Sequence, residues 1–588
     1  MVCSGFCGRL LQLLLVLSPL ACTSAGPDDA FAKFESWLRT NGATIGDVEF
    51  KSQNGLRGGY ANKDLKVQDV ILEIPQRLLI TADMGKTETD TGKAMLAALE
   101  AGDLMRFERG LIYTTVYVLT DRVNPNSSAY CAHVCARAVC VPRYLPFYNI
   151  LPADYDNMPI TWGPDKLAWL EGSYARVDAQ HQQSSLRRAY DWILRVHPPF
   201  ANLATFEEFT WAYAVARSRT FGVDIKGTQG GVQEALVPFA DMFNHWLPCS
   251  VATGWSKERG VFSLRARAQI AAGEEICTSY GQRQKRDFLQ SFGFILEDNF
   301  EKGRCIELVG LDETVGPRPG DCEDDTELEF TIDADDAEVT RKLQLLRAMP
   351  TTWHPGGPFW SIEPGAHGSV RVAMNGRREG AFGNALTLAR IACANAQELT
   401  DLESRGWQGM HGRLTAALNS QNEACALGRL VQLTEAYIHA FPTTLEEDVE
   451  LFNSGTLAPY SERRNALVVV MTDKRMLDDI LDLVDGALLC LPQADRQQHC
   501  YSIDSEEQRR WDVVVGSRPA VRELLQVYCG SVAAAVAYRE ECHKALHARH
   551  CHFFLVAMTA ACHTLQFSAW GHRPPPVDVR QSPVMRQL

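Results

Sequence analysis

Residues 234–294 constrain this chain more than any other stretch. They open with an apolar run, EALVPFADMFNH, closed by Asn244 and His245. They end with GEEICTSYGQRQKRDFLQSFGF, where Tyr280 and Gly281 terminate an alternating segment. Alternation over Gly260–Leu264 and again over Glu275–Tyr280 predicts two half-buried strands. A helical segment follows, and then Gly293 and Phe294.

Around this stretch the pattern is mixed. A short amphipathic helix is expected over Ala30–Leu38, and Gly55–Tyr60 is glycine-rich. Val70–Pro75 reads as a buried strand stopped by its proline. Residues 91–220 look mainly helical. Within them Thr205 and Glu208 have the spacing of a capping box, and Phe206, Phe209, Tyr213 and Ala216 follow at helical intervals as a core stripe. The run AYCAHVCARAVCVP after Ser128 differs from its flanks and is expected to be an inserted surface loop. Residues 311–327 are acidic and mark a boundary. Beyond about residue 336 the pattern turns helical, broken by a Gly/Pro-rich loop over Trp353–Gly368, with a second capping box at Thr444 and Glu447. From about residue 486 the patterning weakens toward a proline-rich, disordered end at Pro574–Pro576.

A chain of 588 residues has room for several cores. Its net charge of −14 and pI near 5.6 exclude a general nucleic-acid binder, because such a field repels a phosphate backbone. Arg9, the apolar run Leu10–Leu17, Pro19 and the small residues up to Ala25 have the layout of a secretory signal peptide, too short for a permanent membrane span. The alternative is an apolar leader on a protein that stays in the cytoplasm or nucleus. Routing to the secretory pathway or onward to a plastid is the expectation, although Asp28 and Asp29 follow where a basic transit stretch would stand. The sequon Asn126-Ser127-Ser128 matters only on the secretory route. Eighteen cysteines do not make a small disulfide scaffold in a chain of this size. Neither Cys131, His133, Cys135 and Cys140 nor Cys542, His547, His550, Cys551 and His552 has the paired spacing of a structural zinc site, so no metal is expected.

Three stretches resemble SET-domain protein methyltransferases of the Rubisco large-subunit methyltransferase type. They are Arg57-Gly58-Gly59-Tyr60-Ala61 with the following KDLKVQDVILEIPQRLLIT, SRTF at 218–221 with ADMFNH at 240–245, and Tyr280-Gly281 through Phe292-Gly293-Phe294. The resemblance covers roughly residues 30–485. It implies an α+β fold: a SET domain of small twisted sheets over 28–310, holding a helical insert (about 95–215) and the cysteine-rich loop 129–142. An all-helical substrate-binding domain over 328–485 and an unassigned tail over 486–588 complete the expectation. It also implies S-adenosylmethionine as methyl donor, with no metal. Arg57, Gly58 and Gly59 are then expected to form a turn that lets backbone approach the donor, since only small residues avoid a Cβ clash. Arg219, Asp241, Asn244 and His245 are expected to hold the donor's amino-acid and adenine portions. Tyr280 is expected beside the donor and to act as the catalytic tyrosine.

The same resemblance assigns the substrate channel to Phe221, Ala240 and Phe292. Members that methylate histidine carry polar and bulkier residues at the first two places, so the pocket looks like the lysine type. Protein-histidine methylation and a catalytically silent peptide-binding module are the alternatives. A monomer acting on a protein lysine is expected, with no nucleic acid and no membrane span. Two residues depart from the family pattern. Lys285 stands where asparagine is usual, and Phe292 stands where tyrosine is frequent, which removes a hydroxyl from the channel.

Overall fold

The computed structural model describes residues 27–491 except 54–55, 104–108, 124–141, 226–231, 247–248, 282, 284, 297–325, 333–334, 349–359, 365–369, 377, 406–413, 415–416 and 490. The leader up to Ala25, the sequon, Cys131, Cys135, Cys140, most of the acidic 311–327 stretch and the tail beyond residue 491 lie outside the described residues.

Two compact units emerge, one built from residues up to Thr326 together with His439–Arg475, the other from Glu327–Ile438 and the residues from Met476 on. The first unit carries β1 (Thr44–Ile45), β2 (Val48–Gln53), β3 (Leu56–Ala61), β4 (Val70–Pro75), β5 (Ile80–Thr81), β6 (Thr220–Val223), β7 (Gln233–Leu236), β8 (Val251–Ser256), β9 (Val261–Ala266) and β10 (Glu275–Ile276). They form three small antiparallel sheets, ordered β1-β4-β9-β8, β10-β3-β2 and β5-β7-β6. Alternation is realised in β9, whose residues are buried at every second position. β4 is buried through most of its length, and its one charged residue, Glu73, is matched by Arg259 and Arg265 from the β9 side. That satisfaction is what allows a carboxylate in a mostly apolar strand.

The helices Arg109–Val123, Tyr174–Val196 and Phe206–Arg219 supply the layer that these sheets need to bury a face. The expected capping box is present at Thr205 and Glu208, worth about 1 kcal/mol to the start of its helix. The first helix, Pro27–Thr40, is longer than the amphipathic pattern indicates, because proline is well suited to the first helical position. One apolar core joins sheets and helices through Phe34, Ile71, Ile74, Val116, Phe147, Phe209 and Leu264.

Two local expectations need correction. Gly58 and Gly59 lie in a strand, not a turn, paired with β2 on one side and β10 on the other. The strand expected to run through Tyr280 is regular only over Glu275–Ile276, after which Thr278 turns its N–H to the Asn244 carbonyl (2.8 Å).

The segment 439–475 belongs to the first unit through satisfied buried polar groups. Lys474 meets Asp448 at 2.5 Å and donates to the Thr443 carbonyl at 2.7 Å, and Asp473 accepts from Ser173. The second capping box, Thr444 with Glu447, opens the helix Leu445–Asn453. The second unit is mainly helical but not all-helical as expected, since it also carries β11 (Thr326–Ile332), β12 (Trp360–Pro364) and β13 (Val370–Gly376) in the order β11-β13-β12. β12 occupies part of the stretch that its glycines and prolines marked as loop. Helices Arg378–Cys393 and Ser420–His439 are tied by the buried, bidentate Arg390–Glu423 pair (2.6 Å for each bond) and the Cys393–Cys425 disulfide. Among the described residues no helix is long and apolar enough to cross a membrane.

Candidate active site

The site is built around a short segment that leaves β7. Phe239 sits at φ 80° and ψ −43°, a conformation costly for a residue with a side chain. Its ring is gripped by Phe50 (5.1 Å between centroids), Phe243 (6.1 Å) and Phe34 (6.2 Å), which supplies what holds the strained turn. The turn Ala240–Met242 follows and delivers Phe243, Asn244 and His245 to the ends of β3 and β10.

Asn244 uses its amide fully as a donor. Nδ2 gives one hydrogen bond to the Arg57 carbonyl (3.0 Å) and one to Glu275 Oε1 (2.7 Å). His245 is buried, with its ring stacked between Tyr280 (5.2 Å) and Phe288 (4.9 Å). Its Nδ1 lies 3.0 Å from the Tyr280 N–H and 3.3 Å from the Thr278 carbonyl. A backbone N–H can only donate, so Nδ1 is the acceptor and the proton resides on Nε2. The Thr278 carbonyl is then a close neighbour that takes no hydrogen from the ring. Burial pushes the imidazole down to about 4, so the ring is neutral at physiological pH.

Tyr280 closes the assembly. Its hydroxyl donates to the Phe243 carbonyl at 2.8 Å, and its ring lies 4.8 Å from Phe292 and 6.2 Å from Phe294. Burial raises its phenol to about 12, so the O–H is retained. With that hydrogen committed to a carbonyl, the phenol oxygen can offer only lone pairs to a reacting group. Gly293, at φ 75°, makes the bend that aims Phe292 and Phe294 at this ring, and its carbonyl accepts from Asn157 (3.2 Å) and Asn465 (3.5 Å).

A partly buried cation is held by the same turn, through Asp241. Arg219 ends its helix, giving Nε to the Tyr155 hydroxyl (2.9 Å) and Nη1 to Asp241 Oδ2 (2.9 Å). Burial pushes Asp241 up while Arg219 opposes that shift. The other oxygen, Asp241 Oδ1, is buried and makes no hydrogen bond of ordinary geometry among the described residues, while the backbone N–H groups of Phe239 and Asp241 lend the carboxylate further, weaker support. An unmet acceptor in such a place is costly unless a ligand donor meets it.

Asn244, His245, Tyr280 and Phe292 therefore come together, joined by Arg57 through its carbonyl. The Arg57 guanidinium instead lies over Phe31 (4.7 Å) and Phe50 (5.7 Å). The glycines have a reason unlike the expected one. A Cβ at Gly58 would come 2.3 Å from Glu275 Oε1, and one at Gly59 would come 2.6 Å from the Phe243 ring. Their clearance serves the chain's own side chains. Among the described aromatic contacts Phe221 packs on Phe262 at 5.2 Å, and Ala240 is fully buried. Lys285 is buried at the start of the helix Lys285–Phe292. Sequence reasoning missed Glu275, Tyr155, Phe243 and Phe288. Glu275 alone left a signal, as a charged residue in the alternating strand.

Residues 57–281 match the family model described as SET domain, and residues 333–477 match the one described as Rubisco LSMT substrate-binding. These matches make the chain a SET-domain protein. The second domain places it in the branch that carries the Rubisco LSMT substrate-binding module. It is similar to the actin-histidine N-methyltransferases of Homo sapiens (27% identical) and Dasypus novemcinctus (28%), each over 295 residues, 48% of this chain and 45% of the relative. The match thus spans about half the length of those curated relatives. The fold is similar to the crystal structure of the SET domain of LSMT bound to lysine and AdoHcy, with a TM-score of 0.60, 18% identity, and coverage of 85% of this chain and 99% of that one. It is also similar to Rubisco LSMT bound to AdoMet, with a TM-score of 0.56, 19% identity, and coverage of 84% and 97%.

Proposed function

We propose that the chain is an S-adenosylmethionine-dependent protein methyltransferase whose target side chain is lysine. The observation that carries the transferase reading is the Tyr280 hydroxyl donating to the carbonyl of Phe243, the residue just before Asn244. One hydrogen bond thereby couples the segment assigned to the donor with the tyrosine assigned to the transfer. The residues fit such a donor. Asp241 Oδ1 is a buried acceptor with no hydrogen bond of ordinary geometry among the described residues, suited to an ammonium, and Arg219 has used Nε and Nη1, leaving Nη2 for a carboxylate. Bound there, S-adenosylmethionine would supply a methyl group on a cationic sulfur.

The chain's own part is positioning and exclusion of water. The Tyr280 oxygen and neighbouring carbonyls offer partial negative charge to a polarised methyl, and the rings of Phe288, Phe292 and Phe294 keep the surroundings apolar. An attacking amine must be neutral, and a desolvated approach disfavours its ammonium form. The lysine assignment rests on Phe221 and Ala240, which match the lysine-type pattern. The actin-histidine relatives favour the second reading, a protein-histidine methyltransferase. Labelled-donor transfer to a cell lysate, followed by amino-acid analysis of the labelled protein, separates the two: methyllysine supports the proposal, methylhistidine replaces it, and no transfer with intact donor binding leaves a silent SET module.

A further inference from the structure

We infer that Glu275 is a positioning residue for methyl-donor binding, acting through the Asn244 amide; this rests on the donor reading above. β10 is antiparallel to β3, with Glu275 opposite Tyr60. The Glu275 side chain reaches diagonally along β3 to Gly58, where the missing Cβ leaves room for its carboxylate. From there Oε1 takes one hydrogen of Asn244 Nδ2 at 2.7 Å, while the Arg57 carbonyl takes the other at 3.0 Å.

An asparagine amide has two faces, and which one it presents is usually open to rotation. Here both neighbours, a carbonyl and a carboxylate, can only accept, so Nδ2 must face them. The amide is thereby fixed with Oδ1 turned the other way, as an oriented acceptor for an N–H of a ligand. Without Glu275 only the Arg57 carbonyl restrains it, and the amide regains torsional freedom that binding must then remove. Glu275 need not touch the donor to matter. Gly58 belongs to the same device, since any side chain there would displace the carboxylate.

Isothermal titration of the full chain with S-adenosylhomocysteine tests this. Wild-type binding is the first arm, and its failure would remove the donor reading itself. Given wild-type binding, Glu275→Ala is expected to weaken affinity about tenfold, the scale of one lost hydrogen bond to a charged group. Glu275→Gln keeps a carbonyl oxygen for Asn244 and is expected to stay within about threefold of wild type. In an Asn244→Ala background, Glu275→Ala should cost nothing further. Additive losses in the double variant would overturn the inference. Equal losses for Glu275→Gln and Glu275→Ala would also overturn it, since they would point to the bare charge. Unchanged unfolding temperatures for both single variants exclude a folding cause.

Discussion

Tyr280→Phe removes one oxygen and leaves the ring stack with His245, Phe292 and Phe294 in place. Two separable losses follow from the geometry. The Phe243 carbonyl loses its 2.8 Å donor and keeps only the longer bond from the Thr278 hydroxyl (3.4 Å), which costs about 0.5–1.5 kcal/mol of stability. In a unit of this size that corresponds to a fall of roughly 1–6 °C in unfolding temperature. The phenol oxygen also disappears from the place where a methyl would pass. Loss of one oriented electrostatic partner of this kind lowers turnover by about 100- to 1,000-fold. Donor affinity should change by less than about fivefold, because the contacts assigned to the donor come from Asn244, Asp241 and Arg219. The assay pairs a single-turnover measurement of labelled methyl transfer with titration of S-adenosylhomocysteine and a thermal melt. Transfer within threefold of wild type, with the melt shifted as expected, would show that the hydroxyl braces the Phe243 turn and does no more. Loss of donor binding in parallel with transfer would show that the same hydrogen bond shapes the donor segment.

The buried His245 makes a pH prediction. Its folded value, about 4, lies below the ordinary 6.5, so the unfolded chain binds more protons between them. Stability should be fully present above pH 6.5 and fall by about 3 kcal/mol as pH drops toward 4; a urea-unfolding series in which His245→Gln keeps the wild-type slope over that range contradicts this. Gly59→Ala would drive a methyl against the Phe243 ring, 2.6 Å from the nearest atom, and should cost about 1–3 kcal/mol in chemical denaturation, with donor affinity reduced as the Phe243–His245 segment shifts. The Cys249–Cys277 disulfide ties the chain just after His245 to the strand leading into Tyr280, across a sequence separation of 28 residues. Replacing both cysteines by serine should lower stability by about 3–4 kcal/mol on loop-closure grounds, and an unchanged unfolding midpoint in oxidised and reduced buffer would contradict the pairing.

What could be read from the sequence divides by distance along the chain. Both capping boxes, the β4 strand and the alternating β9 strand were legible because each is decided within a few residues, by a local hydrogen bond or by period. Asn244, His245, Tyr280 and Phe292 were legible as a set only through resemblance to known SET proteins. Nothing in their spacing indicates that His245 would be clasped between Tyr280 and Phe288, or that Nδ1 would accept the Tyr280 N–H. The glycines show where local reading misleads. Gly58 and Gly59 look like a turn because glycine is the usual turn residue, yet here they are strand residues with neighbours too close for a Cβ. Those neighbours, Glu275 and Phe243, lie more than 180 residues away in sequence, beyond any local pattern.

The same separation explains why Glu275 escaped notice. In the strand it is an ordinary charged residue at an exposed position, and only the register of β10 on β3 puts its carboxylate against Asn244. A site of this kind has two tiers. Residues that would meet the ligand sit on the segment 240–245 and at Arg219 and Tyr280, and their identity follows from the chemistry of an ammonium, a carboxylate and a methyl group. Residues that orient them, Glu275 for Asn244 and Asn157 with Asn465 for the Gly293 bend, follow from the fold, because each reaches its partner from another element. The second tier is where this chain is free to differ from other SET proteins without losing the first. It is therefore the place to look for the determinants of its own affinity and substrate.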